Sequence, residues 1–383
     1  MKVLSIGTDR KLFDEKSAVF TRQNEYAKKM DELHVLVFTL KKEGCVYKKE
    51  GNLFIYPTNS ISQWFYVLDA YFLGRKIIKT NSFSKNSVIS TQDAFQTGFV
   101  GAVFAWYFSL PLQVQVHTDF LSPYFKGFFN SIRKIISWFV LKNASQIRVV
   151  SEPIKTSIES KYPKLKPIIK ILPVFVDVER IENLVTNKEQ LTPSSLPFKN
   201  NIFMYSRLTK EKRFDIALNV IKKVTNTYPD SGLVIFGVGP EENNIKKMAK
   251  ELGIDNRVVF KGWMDNIDIL ALFYRQSDIF LLTSEYEGYG MTLIEAGASG
   301  CPIVTTNVGI AQTGLFKDGF NSYVCPVGDT DCLGERLKDL ITNEEKRKSF
   351  SDNMRDSIKE VVISKEDYVD RYIGLLEELT KNA

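Results

Sequence analysis

Short runs of β-branched and aromatic residues alternate with helical periodicity along almost the whole chain, and this order constrains the fold more than any other feature. The strand-like runs of the first half are KVLSIG, HVLVFTL, SVIST, QVQVHT, QIRVVS and IIKILPV. Those of the second half are NIFMYS, GLVIFG, RVVFKG, IFLLTS, PIVTT and NSYVCP. Regular strand–helix alternation predicts parallel sheets. Over 383 residues it predicts two successive doubly wound α/β units.

Three stretches between the strands have helical character: TRQNEYAKKMDEL, RFDIALNVIKKVTNTYP and ENNIKKMAKELG. In the last, four apolar residues recur with the spacing of one helical face; they are Ile245, Met248, Ala249 and Leu252. The polar residues 178–200 are typical of a connector, so we expect domains at 1–178 and 179–364. Ligands of such sheets bind beyond the carboxyl ends of the strands. Two facing units therefore predict a ligand cleft.

Composition narrows the class of protein. The chain is 44% hydrophobic and 25% charged, as in globular proteins, and no apolar run approaches the ~20 residues that span a bilayer. MKVLSIG begins directly as a strand, which predicts no secretory signal. Four scattered cysteines and two histidines predict unpaired thiols, a reduced cytosolic compartment and no metal site; the cysteines are Cys45, Cys301, Cys325 and Cys332.

Charge is divided unequally along the chain. Residues 1–180 carry 26 Lys and Arg against 15 Asp and Glu, a net charge of +11, whereas residues 181–383 carry 25 against 30, a net charge of −5. Such a division indicates that the first half faces an anionic surface, either nucleic acid or membrane.

IFLLTSEYEGYGMTLIEA is a strand, a glycine-containing loop and the start of a helix. Gly288 and Gly290 permit a tight turn and a close approach of the backbone to a ligand. The amides of Met291 and Thr292 then lie at a helix N-terminus, which favours a diphosphate.

Two glutamates flank this turn, and each has two interpretations. Glu295 can accept hydrogen bonds from two ribose hydroxyls, or it can complete a capping box with Thr292. Glu287 can point into the cleft, or it can be a solvated loop residue.

MYSRLTKEKRFDIAL places Arg207 and Lys212 between a strand and a helix. Two cations fixed at a strand end suit a pyrophosphate leaving group; the alternative is a basic loop in solvent. LVIFGVGP adds a third strand-to-glycine turn at Gly237 and Gly239.

These segments together resemble the nucleotide-sugar-binding domain of glycosyltransferase family 4, retaining enzymes of the GT-B fold. The matching segments are SRLTKEKRFD, LVIFGVGP, VVFKGW, SEYEGYGMTLIEAGASGCPIVTT and KDGFNSYVCPVGD. Glu287 and Glu295 match the family's E-x7-E motif, and the resemblance spans about residues 201–329. The first half matches more loosely, through VHTD and LPVFVDVERI.

The resemblance implies a role for each matched residue. Those implied to bind the donor diphosphate are Arg207, Lys212, Gly290, Met291 and Thr292. Those implied to hold the donor sugar are Glu287, Gly288 and Tyr289, with Glu295 on the ribose. His117, at the end of a predicted strand, matches the family's cleft histidine, and His117 and Glu287 are the expected catalytic residues. The glycine loops expected near the nucleotide or acceptor contain Gly7, Gly237 and Gly239.

The chain departs from the family at three places. Ser206 and Arg213 replace glycines around Lys212. The paired glycines of the N-terminal loop are reduced to Gly7, and Gly309-Ile310-Ala311-Gln312 replaces a glycine and a glutamate after the E-x7-E helix. These departures affect the expected contacts to acceptor and donor sugar.

The implied reaction moves a hexose from a UDP- or GDP-sugar to a hydroxyl of a glycan or lipid-linked acceptor, with retention and without a metal or other cofactor. UDP is expected over GDP, the cell envelope is the expected setting, and helix 365–383 is expected to return to the first domain. The alternatives are a glycoside hydrolase, a nucleotide-sugar epimerase and a non-catalytic GT-B binding protein.

The segment 122–143 carries four basic residues, Lys126, Arg133, Lys134 and Lys142, and no acidic residue. Ile132, Ile135, Ile136 and Phe139 form a helical stripe, with Phe125, Phe128, Phe129 and Trp138 around it. One interpretation is a helix buried on the first sheet. The other, which we favour over nucleic acid, is a peripheral contact with an anionic membrane on its cytoplasmic side.

Overall fold

A computed structural model describes residues 1–186 and 196–381. The chain divides into two compact units, Met1–Pro173 with Lys365–Ala383 (unit 1) and Val174–Ser364 (unit 2). The division therefore falls five residues before the expected boundary at residue 178, since residues 174–178 belong to unit 2.

Unit 1 contains one mostly parallel sheet. Its strands are β1 (Lys2–Gly7), β2 (Glu32–Val37), β3 (Lys48–Glu50), β4 (Leu53–Pro57), β5 (Ser87–Thr91), β6 (Leu112–Val116), β7 (Gln146–Val149) and β8 (Ile168–Ile171). They are ordered β3-β4-β2-β1-β5-β6-β7-β8, and only β3 is antiparallel to its neighbour within the described residues. Every residue of β5, β6 and β7 is buried, so both faces of these strands are covered.

The helices of unit 1 lie on the faces of this sheet. They are α1 (Ala18–Lys28), α2 (Tyr66–Thr80), α3 (Gln96–Phe108), α4 (Phe128–Lys142), α5 (Glu152–Lys161) and the C-terminal helix Lys365–Lys381. α1 begins after Ser17, whose hydroxyl accepts from the amide of Phe20, and it ends well before the expected Leu33 because β2 begins at Glu32. The C-terminal helix packs in unit 1, where the ring of Tyr372 stacks on that of Tyr26 at 4.5 Å.

Unit 2 contains a parallel sheet with helices on both faces. Its strands are β9 (Asn200–Tyr205), β10 (Ser231–Phe236), β11 (Val258–Phe260), β12 (Ile279–Leu282), β13 (Ile303–Thr306) and β14 (Tyr323–Cys325). Its helices are α6 (Val178–Thr186), α7 (Phe214–Thr227), α8 (Glu242–Glu251), α9 (Ile267–Gln276), α10 (Met291–Ala298), α11 (Thr330–Thr342) and α12 (Glu344–Lys359); the C-terminal helix is α13. The strand order β11-β10-β9-β12-β13-β14 reverses between β9 and β12.

Two expectations from the sequence are wrong. The predicted connector 178–200 begins as helix α6, whose apolar residues Val178, Ile181 and Val185 are buried in unit 2, and continues into β9; its residues 187–195 lie outside the described part of the chain. Cys325 and Cys332, expected as free thiols, form a disulfide with a Cα–Cα distance of 5.9 Å. Cys325 ends β14 and Cys332 lies at the start of α11, so the turn between these two elements brings them together although their spacing is not that of a CxxC motif. The cytosolic location was inferred from unpaired cysteines, so it stays a prediction that the cysteines no longer support.

Candidate functional site

The loops that follow β9 and β12 meet where the strand order of unit 2 reverses. In open α/β sheets this reversal opens a crevice at the carboxyl ends of the strands, and ligands bind there. Arg207 and Lys212 follow β9, whereas Glu287 and Gly290 follow β12. The fold thus brings the predicted cations and the glycine turn of unit 2 to one place.

Lys212 and Glu287 form a salt bridge across these two loops. The Lys212 ammonium donates to Oε1 of Glu287 at 2.5 Å, and the Ser284 hydroxyl donates to the same oxygen at 2.7 Å. The two charged side chains are only 13% and 12% exposed. Glu287 is therefore not a solvated loop residue, and the interpretation of it as one is wrong.

The backbone of the first loop is held by the second. The Thr283 hydroxyl donates to the carbonyls of Lys212, at 2.8 Å, and Arg213, at 3.1 Å. The amide of Glu285 donates to the carbonyl of Glu211 at 2.9 Å. Lys212 is thus fixed at its backbone and at its side chain, as a preorganised cation requires.

Arg213 has left-handed backbone geometry, with φ of 52°. A glycine adopts this geometry at little cost, which explains why the resembling family has glycine here. In this chain the guanidinium of Arg213 contacts both carboxylate oxygens of Asp215, at 2.9 and 2.8 Å, and Glu285 at 3.3 Å. These ion pairs offset the backbone strain.

Gly237 and Gly239 support the turn that carries Arg207. A Cβ atom on Gly237 would lie 2.0 Å from the Ser206 carbonyl oxygen, and one on Gly239 would lie 2.3 Å from the Leu208 carbonyl oxygen. Only glycine permits both approaches. Arg207 itself is 70% exposed, with Glu211 3.8 Å away.

The helix N-terminus expected from the sequence is present at α10. Gly290 is its N-cap with φ of 94°, and the Leu293 amide donates back to the Gly290 carbonyl. The amides of Met291 and Thr292 precede this bond, so they are the ones that an anion can reach. Tyr289 and Gly288 belong to the turn just before the cap.

Residues 309–312, where the chain departs from the resembling family, pack against the turn that contains Glu287 and Tyr289. The Ile310 amide donates to the Tyr289 carbonyl at 2.7 Å. Gly309 has φ of 54°, and a Cβ atom on it would lie 2.8 Å from Cβ of Glu287. This segment therefore stabilises the loop of the first glutamate.

Glu295 lies one turn into α10 and is 8% exposed. Its Oε2 accepts from the Tyr274 hydroxyl at 3.2 Å. The capping-box interpretation is wrong, because the helix begins at Met291 after Gly290, and Thr292 is not its cap. Burial raises the pKa of Glu295 to about 7, and the bond from Tyr274 opposes that rise. Near neutral pH this carboxyl group is therefore poised between its two protonation states.

Sequence reasoning missed Tyr274, which lies on α9 and is buried. Its phenol orients Glu295, and no motif in the sequence marks it. It also missed Trp263, whose ring lies 5.1 Å from that of Tyr205 and is partly exposed. Trp263 ends the segment VVFKGW, so an aromatic residue directly after a strand was the signal that the sequence contained.

His117 and Gly7 lie in unit 1, at the same carboxyl edge of its sheet. His117 follows β6, and Gly7 ends β1 beside Gln92, whose Oε1 accepts from the Thr8 amide at 2.7 Å. The strand order of unit 1 reverses between β1 and β5, so Gly7 adjoins the switch point of that sheet. The predicted site residues therefore form one cluster in each unit.

A buried polar network sets the protonation state of His117. Oε1 of Gln115 accepts from the Arg148 guanidinium at 2.7 Å and lies 3.0 Å from Nε2 of His117. An amide oxygen only accepts, so Nε2 carries the proton and Nδ1 is the acceptor nitrogen. Burial, together with the charges of Arg148 and Arg22, lowers the pKa of His117 to about 3. The imidazole is therefore neutral at physiological pH.

Helix α13 completes this network. The Arg148 guanidinium donates to the Tyr368 hydroxyl at 2.7 Å, and Nε2 of Gln115 lies 3.3 Å from the Tyr372 hydroxyl. The donor contact of Gln115 fixes the orientation of its amide, which supports the tautomer assigned to His117.

Within residues 1–186 and 196–381 no group of three or more His, Cys, Asp or Glu side chains is arranged to hold a metal ion. Over the same residues, no helix has both the length and the apolar character needed to cross a membrane.

The fold of the two units is that of GT-B proteins, as the sequence predicted. Sucrose-phosphate synthase from Thermosynechococcus elongatus matches with a TM-score of 0.80 and 16% identity, over 100% of both chains. Anabaena HepE, solved in complex with UDP, matches with a TM-score of 0.71 and 18% identity, over 99% of this chain and 100% of that one. At these identities the likeness shows the fold alone.

One family model matches a stretch of the chain that lies within unit 2. Residues 188–357 match the family described as glycosyl transferases group 1. N-acetyl-alpha-D-glucosaminyl L-malate synthase of Bacillus anthracis is 35% identical over 156 residues, which are 40% of this chain and 39% of the relative. The chain spans less than half the length of this relative and of two others, the poly(glycerol-phosphate) alpha-glucosyltransferase of Bacillus subtilis (22%) and an uncharacterized glycosyltransferase of Haemophilus influenzae (48%).

Proposed function

We propose that the chain is a glycosyltransferase that moves a hexose from a nucleotide-diphosphate sugar to a hydroxyl group, with retention at the anomeric carbon. The observation that carries this proposal is the arrangement of Lys212, Glu287 and the α10 N-terminus at the switch point of unit 2. The match of residues 188–357 to group 1 glycosyl transferases supports it. So does the activity that the name of the B. anthracis relative states.

The proposed donor contacts follow from charge and hydrogen-bonding capacity. Arg207, Lys212 and the amides of Met291 and Thr292 neutralise the diphosphate. The Glu295 carboxylate accepts from the ribose hydroxyls, and Trp263 stacks on the base. UDP is the favoured nucleotide, in keeping with the UDP bound to Anabaena HepE.

Glu287 has a separate proposed role on the donor sugar. Lys212 and Ser284 both reach Oε1 of Glu287, so Oε2 is the oxygen that a sugar hydroxyl addresses. Gly288 and Tyr289 complete this contact in the same turn. When the diphosphate arrives, it shares the Lys212 ammonium with Glu287, and the buried positive charge remains compensated.

The proposed chemistry takes place on one face of the sugar. The bond from the anomeric carbon to the diphosphate oxygen breaks as the bond to the acceptor oxygen forms, and the acceptor proton passes to the departing diphosphate. Negative charge grows on the diphosphate as it leaves, so fixed cations and helix amides stabilise the transition state. The neutral imidazole of His117 offers Nδ1 to a sugar hydroxyl. No metal ion takes part in this scheme.

The acceptor is proposed to be a glycan or lipid-linked sugar of the cell envelope, and the location to be the cytoplasmic side of a membrane.

The test is a thermal-unfolding panel with UDP-, GDP- and ADP-sugars on the wild type, Lys212→Ala and Lys247→Ala. Lys247 is a matched control because its side chain is 77% exposed on α8. A sugar nucleotide at 100 times its Kd stabilises the folded protein by about 2.7 kcal/mol. We expect one nucleotide class to raise the Tm of the wild type and of Lys247→Ala, and Lys212→Ala to lose most of that rise.

Absence of any shift with all three nucleotide classes would refute the donor site and favour a non-catalytic binding protein. A shift accompanied by interconversion of the donor sugar alone would favour an epimerase. Transfer itself is followed with the stabilising donor and a panel of glycosides, and the anomeric coupling constant of the product reports retention or inversion.

A further inference from the structure

Helix α3 presents an uncharged, apolar outer face to solvent. None of its residues from Gln96 to Phe108 is charged, and Phe99, Trp106 and Tyr107 are exposed, Trp106 by 80%. A surface helix of a globular protein normally carries charged residues on this face. The outer face of α3 is therefore built for contact with something other than water.

The helices on either side extend this apolar surface. Before and along α2, Trp64, Leu68 and Phe72 are exposed at intervals of four residues, Trp64 by 89%. Along α4, Phe128, Ile135 and Trp138 are exposed, Phe128 by 76%. We refer to α2, α3, α4 and the turn Gln63–Phe65 as the aromatic–basic face.

The interpretation of segment 122–143 as a helix buried on the sheet is wrong. Only Ser137, Val140 and Leu141 of α4 are buried, and the apolar stripe from Ile132 to Phe139 is largely exposed. Of the four aromatic residues around this stripe, Phe125 differs from the other three because it is buried against Phe95.

Contacts between the side chains make the three helices one continuous surface. The ring of Phe99 on α3 lies 5.9 Å from that of Phe139 on α4. On the other side, the Arg75 guanidinium of α2 lies over the Tyr107 ring of α3 at 5.7 Å. Contiguous apolar patches of this kind mark sites of protein or membrane contact.

The charges around this surface are predominantly positive, with six bases and one acid. Along the three helices the acid is Asp69, and the bases are Arg75, Lys76, Lys79, Arg133, Lys134 and Lys142. The Lys142 ammonium lies over the Trp138 ring, 5.3 Å from its centroid, so the cation and the aromatic ring are next to each other on this surface. Aromatic rings flanked by Lys and Arg are typical of the boundary between lipid headgroups and acyl chains.

We propose that the aromatic–basic face docks unit 1 on an anionic lipid bilayer. The sequence indicated only α4; the structure adds α2 and α3, and it places the most exposed tryptophans, Trp64 and Trp106, outside the predicted segment. A second copy of the chain fits less well, because a two-fold contact brings this basic surface against itself. An anionic bilayer complements both the apolar area and the charge.

The test uses the full chain and extruded vesicles of phosphatidylcholine alone or with 30% phosphatidylglycerol. Three of the four tryptophans, Trp64, Trp106 and Trp138, lie on this face. We expect their emission to shift to the blue and to be quenched by brominated lipids in the anionic vesicles, with much weaker binding to phosphatidylcholine.

Two variants separate the charge from the apolar contact. Each Lys or Arg near an anionic surface contributes about fivefold to partitioning. We therefore expect Arg133→Gln/Lys134→Gln/Lys142→Gln to bind the anionic vesicles about 100-fold more weakly, and Phe72→Ser/Trp106→Ser to lose lipid quenching. The control Lys247→Gln/Phe320→Ser removes one exposed base and one exposed aromatic residue from unit 2 and is expected to bind as the wild type does.

Equal binding to both vesicle types, or no binding to either, would overturn the proposal. A dimer that dissociates on dilution and is lost in Phe72→Ser/Trp106→Ser would instead assign the face to a second copy. The variants change exposed side chains, and circular dichroism checks that they fold. Membrane binding is independent of the donor test, which concerns unit 2.

Discussion

Glu295 makes the stability of unit 2 depend on pH in a direction opposite to that of most carboxyl groups. Its pKa rises from 4.5 to about 7 because the side chain is buried. The folded state thus binds the proton more tightly than the unfolded state does. The stabilisation that protonation confers is complete below pH 4.5 and is lost as pH rises to 7. This rise in pKa corresponds to about 3 kcal/mol, which is the cost of holding the ionised carboxylate in the fold above pH 7.

Replacement of Glu295 by Gln removes this dependence, because the amide keeps the shape of the neutral acid. We expect the free energy of unfolding of Glu295→Gln, minus that of the wild type, to rise by about 3 kcal/mol between pH 4.5 and 7.5. Taking the difference cancels the other titrating groups. The matched control is Glu251→Gln on α8, which removes a carboxyl group that is 61% exposed and so tests whether the effect depends on burial.

Trp263 provides the readout for unit 2, because the other three tryptophans lie in unit 1. Urea unfolding is therefore followed by fluorescence in a background in which Trp64, Trp106 and Trp138 are replaced by Phe. A difference between Glu295→Gln and the wild type that stays constant from pH 4.5 to 7.5 would refute the raised pKa. Because ribose hydroxyls donate to the ionised form of Glu295, we also expect a sugar nucleotide to bind more tightly as pH rises to 7.

Two further predictions concern the supports of the site. Gly237→Ala places a methyl group against the Ser206 carbonyl, so we expect urea unfolding to show a loss of about 3 kcal/mol and the thermal shift with nucleotide to fall. Gly334→Ala on α11, where a Cβ atom meets nothing within 4 Å, is the matched control and is expected to stabilise by about 0.5–1 kcal/mol; similar stability of the two variants would contradict the argument. In proton–nitrogen correlation spectra, His117 is expected to remain neutral from pH 5 to 8 with its proton on Nε2, and Arg22→Gln is expected to raise its pKa. A titration of His117 near its ordinary pKa, or a proton on Nδ1, would show that the Gln115 network does not set its state.

The strand pattern predicted the two sheets because short strand-like runs alternate with longer helical stretches along the chain, an order typical of parallel α/β sheets. The sequence pattern did not predict the hairpin of β3 and β4, because the β3 sequence KKE is short and polar. Gly51, between the two strands, was a turn signal. The antiparallel pairing of this hairpin at the sheet edge contributes nothing to strand–helix alternation.

The candidate site was only partly readable from the sequence. Lys212, Glu287 and Glu295 stand in a recognisable order, so their convergence followed from the fold. Tyr274 reaches Glu295 from another helix, a contact of sequence separation 21 that local pattern does not contain. The exposure of α3 was equally hidden, because an apolar helix has the same composition whether it faces a core or a lipid surface.

The position of α13 has a consequence for the synthesis of the chain. Unit 1 is discontinuous, because its first 173 residues precede the whole of unit 2 and α13 follows unit 2. The tyrosine hydroxyls that accept from Arg148 and Gln115 lie on α13. On a ribosome, unit 2 therefore has all of its residues before unit 1 does. Until Tyr368 and Tyr372 emerge, the buried guanidinium of Arg148 lacks two of its aromatic neighbours. The unit translated first is thus the unit completed last.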